Sequence, residues 1–211
     1  MIAGTSALAL AACLGPGEPV ELPKDTIEAA RTCFAAQGLV MREGKGEDDP
    51  ITYDEFVSAI KYPMVAAAQV EPFSADTISQ VIDGADKAAD AIRSKDYAGA
   101  IATCDARFAP QAEVALPEQD SDAVLSCMTL AGFMQGAVQA QGGDFGSKGA
   151  AVGPLLERLQ KRMESDPKIL VKLAAGGDVQ AIMNAAMKPA FGAGAPDAYL
   201  SSCEARFPAG G

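Results

Sequence analysis

The chain repeats itself around its cysteines. Thr103-Cys104-Asp105-Ala106-Arg107-Phe108 and Ser202-Cys203-Glu204-Ala205-Arg206-Phe207 end alike. Each follows an earlier cysteine, Cys33 by 71 residues and Cys127 by 76. The earlier pair also match in context, since Gly38 and Gly132 each lie five positions on. Self-similarity of this kind reports a duplicated structural unit, here about 94–99 residues long. A chain of 211 residues accommodates two such units, closely packed.

There are five cysteines. Setting Cys13 aside leaves two per repeat, and of the three possible connectivities the duplication favours Cys33–Cys104 and Cys127–Cys203. Each bond would tie the first helix of a unit to its last. Closing a loop of about 70 residues contributes roughly 4 kcal/mol in the chain-entropy model. Such bonds persist in an oxidising compartment such as the periplasm. The alternative is four buried thiols that behave as small hydrophobes.

The composition excludes several classes of function. With 49% hydrophobic residues the chain can build a core, and wholesale disorder is ruled out. The net charge of −11 leaves no Lys/Arg stripe to displace counterions from nucleic acid, and disfavours adhesion to anionic lipid by charge alone. Histidine is absent, which removes the commonest general base and metal ligand together. Serine–histidine and cysteine–histidine nucleophiles and imidazole-ligated zinc are excluded with it. No cofactor is implied.

Residues 1–12 form a short apolar run, too short to span a bilayer and of the length of a signal-peptide core. Leu10-Ala11-Ala12-Cys13 resembles the lipobox of bacterial lipoproteins, an aliphatic residue and two small ones before the cysteine that is acylated. The resemblance implies that Cys13 becomes the lipidated first residue of the mature protein. Ordinary cleavage after Ala9-Leu10-Ala11 is the alternative, and a cytoplasmic protein with an apolar N-terminus is a third. Residues 13–24, rich in Pro and Gly, read as a tether.

No stretch alternates with period two between strong β-formers, whereas apolar residues recur at helical spacing throughout. The expected fold is all-α: two tandem, internally duplicated bundles of about four helices, each clamped by one disulfide. Unit 1 covers 25–110, a linker 111–119 and unit 2 120–208. In unit 1, helices are expected from Asp25 or Thr26, from Tyr53 to about Val70 with a kink at Pro63, from Ala75 to Arg93, and from Tyr97 to Phe108. In unit 2 they cover Asp120–Gln139, Val152–Glu164, a stretch from Pro167, a restart capped by Asp178, and Asp197–Phe207. Gly142 to Gly149 reads as a connection; its lysine is misplaced for a phosphate-binding loop.

Few residues invite chemistry. Ile51 to Phe56 looks like the end of an EF-hand loop. Counting back from Glu55, however, puts Gly44 and Gly46 at ligand positions and Asp49 where the turn glycine belongs. Asp48, Asp49, Asp54 and Glu55 are the best place for a weakly held cation. Met128, Met134, Met163, Met183 and Met187 sit at core spacing and read as gap-fillers rather than a Cu(I) site. Arg107 and Arg206 fall at helix C-termini, where they meet the negative end of the dipole, and Phe108 and Phe207 plug the bundle ends. The expected function is therefore that of an exported, non-catalytic binding or scaffolding protein of a bacterial envelope, meeting a protein or lipid partner. The rivals are an accessory subunit of a membrane complex, and an enzyme with a carboxylate or cofactor site not visible in the sequence.

Overall fold

Helix α1 begins where Asp25 offers its carboxylate to the Glu28 amide (3.0 Å) and runs over Thr26–Arg42. In a computed structural model of the chain, which describes residues 17–46, 49–140, 145–175 and 178–209, it is the first of ten helices. The others are α2 (Tyr53–Gln69), α3 (Asp76–Asp83), α4 (Ala85–Ile92), α5 (Tyr97–Arg107), α6 (Asp120–Ala140), α7 (Gly146–Ser165), α8 (Pro167–Ala174), α9 (Val179–Ala193) and α10 (Pro196–Arg206). Of the described residues 74% are helical, and among them there is no strand. The apolar run 1–12, Cys13, Asp48 and Gly176-Gly177 lie outside the described residues.

Two helices organise the rest. Around α1 pack α2, α3, α4 and α5. Its buried residues are small (Ala29, Ala30, Cys33, Ala35 and Ala36), so neighbouring backbones approach closely. Around α6 pack α7, α9 and α10. By length and composition α6 could cross a membrane, but over half of its apolar window, 56%, is buried inside the protein. It is the core helix of this half, buried through Val124, Cys127, Leu130, Ala131 and Met134.

The disulfides join the organising helices to the closing ones. Cys33 in α1 bonds Cys104 in α5 with Cα atoms 5.5 Å apart, and Cys127 in α6 bonds Cys203 in α10 at 5.8 Å. All four cysteines are fully buried.

Helix α2 serves both halves. Thr52 and Glu55 cap it reciprocally, a capping box. Tyr53, Phe56, Ile60, Met64 and Ala67 fall on one face as the periodicity predicts, but they enter the core built on α6. Tyr62, Val65 and Ala66 point the other way and pack with Cys33, Cys104 and Phe108. Pro63 is buried within the helix, which continues through it to Gln69.

Two expectations are corrected. The helix expected over Ala75 to Arg93 is two, because Arg31 reaches in from α1 and donates from Nε (3.2 Å) and Nη2 (2.8 Å) to the Gln80 carbonyl. That carbonyl would otherwise accept from the Gly84 amide, and a Cβ at Gly84 would collide with the Arg31 side chain. Ile82, which falls at helical spacing with Ile78 in the sequence, is exposed. The helix expected from Val152 starts earlier, at Gly146. Phe145 anchors its entry by stacking on Phe56, centroids 5.3 Å apart, and meeting Tyr53 edge-on at 5.7 Å. Packing outweighs the poor helix propensity of Gly146 and Gly149.

Candidate functional site

The repeated Arg-Phe pairs are structural clasps. Arg107 donates from Nη1 to the Pro23 carbonyl and from Nη2 to the Lys24 carbonyl, both at 2.7 Å. Arg206 does the same to Pro117 and Glu118, again both at 2.7 Å, and adds a bond to Asp120. Each guanidinium therefore holds the segment that leads into α1 or α6, and lies over its own phenylalanine, at 5.7 and 5.9 Å from the ring centroid. Phe108 and Phe207 are buried. The dipole argument explains the charge at a helix end but not this forked grip on two successive carbonyls. A sequence signal for it exists, since Leu22-Pro23 and Leu116-Pro117 stand at equal distance before Cys33 and Cys127.

The same clasp fastens the described part of the expected tether. Besides Pro23 and Lys24, Glu18 accepts from the Asp96 amide at 2.9 Å, and Val20 and Leu22 pack on the α1 side.

The described acids of the candidate cation site, Asp49, Asp54 and Glu55, each make internal bonds. Asp49 accepts from the Gly46 amide (2.7 Å) and Asp54 pairs with Lys148 (2.5 Å). Glu55, besides capping Thr52, takes the Lys45 ammonium at 2.6 Å, and that bond holds its carboxyl below the usual range. Among the described residues no three acids, histidines or cysteines group as metal ligands. Of the five candidate methionines Met134 is buried, Met128, Met163 and Met187 flank the same core, and Met183 is half-buried without joining it.

A cavity of about 340 Å³ opens where α2, α7 and α10 meet. Tyr53, Val152, Leu155 and Leu200, all buried, form its apolar side, with Ala151 beside them. Lys148, Asp197, Ser201 and Glu204 form its polar side. Tyr53 and Asp197 share this lining; burial first, then the negative charges of Asp197 and Asp54, push the phenol well above its ordinary value. Lys148 sits on Asp54, which pushes its ammonium up, with Asp197 adding a smaller pull. Glu204 has Arg158 at 3.7 Å, outside hydrogen-bond distance. Sequence reasoning missed this site, because its residues come from three helices separated by about 150 positions, and no local motif joins them.

Glu204 has a counterpart, Asp105, two residues before the first Arg-Phe pair. Burial opposes ionisation of Asp105, but Lys61 at 2.7 Å and the Tyr62 hydroxyl at 2.7 Å hold its carboxyl below the usual range. Both acids face another helix, Asp105 meeting α2 closely and Glu204 meeting Arg158 of α7 at a longer distance. No protein-family model, curated protein or solved structure matches the chain.

Proposed function

We propose that this is an exported helical binding protein of a bacterial envelope, composed of two tandem units that arose by duplication and acting by binding rather than by chemistry. The observation that carries the reading is the pair of disulfides, each linking an organising helix to a closing one through fully buried cysteines. Bonds of this kind endure where thiols are not kept reduced. The matched grips of Arg107 and Arg206 support the duplication. The lipobox resemblance at Cys13 supplies the means of anchoring, and the cavity between α2, α7 and α10 is the place for a ligand.

Intact mass of the full-length protein made in a Gram-negative host, with and without reductive alkylation, tests the reading. We expect a diacylglycerol-sized gain on Cys13 and four thiols that react only after reduction. Cleavage without the gain leaves export standing and removes the anchor. An unprocessed chain with all five thiols reactive before reduction overturns export.

One observation favours the accessory-subunit alternative. Leu170 and Val171 on α8 and Val179 at the start of α9 are 46%, 68% and 52% exposed. Leu170 and Val171 are adjacent in α8, and adjoining apolar side chains left in water mark contact surfaces. Co-purification of a membrane protein that is lost on Val171→Asp would favour this reading.

A further inference from the structure

We propose that the cavity between α2, α7 and α10 binds a protonated primary amine carried on an apolar stem. The proposal rests on the binding reading above and narrows it to a class of ligand. The cavity volume, about 340 Å³, is at the lower end of small-molecule sites. Val152, Leu155 and Leu200 offer an apolar wall to the stem, and the Tyr53 ring continues it.

The charge of the lining selects the head group. Two carboxylates, Asp197 and Glu204, face one cation, Lys148, whose ammonium is already seated on Asp54 at 2.5 Å. Asp197 lies on the cavity lining beside the Tyr53 ring, and a carboxylate has room for about four donors. Glu204 is the more telling. Its counterpart Asp105 is closed off by Lys61 and Tyr62, both at 2.7 Å, whereas among the described residues Glu204 has Arg158, at 3.7 Å. At the same point of the repeat, one acid is satisfied internally and the other is left on the wall of a cavity. An ammonium supplies up to three donors to such acceptors. The net charge of −11 raises the local concentration of cations around the site.

The test uses the oxidised full chain with 2-phenylethylamine as probe and 3-phenylpropionate, of similar shape and opposite charge, as control. We expect the amine to shift the amide resonances of Val152, Leu155 and Leu200 saturably, with a Kd of about 1 mM or below. The carboxylate should leave them unmoved. Asp197→Asn and Glu204→Gln should each weaken amine binding about tenfold. Lys148→Met should not weaken it. Glu204 lies half-exposed, so its variant reports on binding even if Asp197→Asn fails to fold. Three results overturn the proposal: the carboxylate binding as tightly as the amine, an amine affinity unchanged in the folded variants, or no shift of the lining residues at about 10 mM amine. The first leaves a binding protein with a different ligand. The third removes this cavity as a binding site, while export is read separately from the intact mass.

Discussion

Three tyrosines carry their hydroxyls into the core. Tyr62 is fully buried and donates to Asp105, and Tyr199 is fully buried and bonded to Ser126 at 2.7 Å. Tyr53 is buried too, with the Asp197 charge nearby. In all three, burial leads in pushing the phenol up, so folding favours the protonated form. Their contribution to stability is complete below the ordinary tyrosine value near 10 and is lost as pH rises through it toward the raised folded values. Absorbance at about 295 nm should therefore show, at about pH 11, only a minority of the four tyrosines ionised in the native protein. In denaturant all four should titrate together near pH 10. Native titration of every tyrosine at the denatured midpoint would contradict the buried hydroxyl bonds. None of these partners is visible in sequence, because Tyr62 and Asp105, or Ser126 and Tyr199, are separated by 43 and 73 residues.

Elements are shaped by what crosses them as much as by their own propensities. Caps behave locally: Asp25, Thr52, Asp96, Asp166 and Asp178 each accept from an amide two or three residues on, and helices start after them. The break between α3 and α4 is different, for Arg31 imposes it from α1 by holding the Gln80 carbonyl. Gly84→Ala should therefore destabilise the protein by about 1–3 kcal/mol, since the new methyl must displace Arg31. In the Arg31→Ala background the same substitution should be neutral or stabilising by about 1 kcal/mol, the gain of alanine over glycine in a helix. Denaturant midpoints of the four proteins measure the coupling; additive effects would mean that Arg31 does not set the break. The periodicity of Ile78, Val81, Ala85, Ala89 and Ile92 is compatible with one helix or two, and so could not reveal it.

On the scale of the whole molecule, α2 is the join. One of its faces completes the core around α6 and the other completes the core around α1, so neither half is closed without it. Unfolding should accordingly be a single transition, coincident by circular dichroism and tyrosine fluorescence. Replacing Cys33 and Cys104 by alanine should lower stability by about 4 kcal/mol from loop closure, while the two probes still coincide. Two separated transitions would show that the halves are independent. What the sequence determined by itself is what depends on neighbours in the chain or on counting: the helical class from its period, the starts at capping residues, and the cysteine partners from their matched places. Tertiary structure alone decided which core each face of α2 enters, where Arg31 cuts a helix, and how Tyr53, Lys148, Asp197 and Glu204 come to share a cavity. Periodicity reports that a face is apolar but not what it meets, because the hydrophobic effect has no direction and long-range packing chooses the partner.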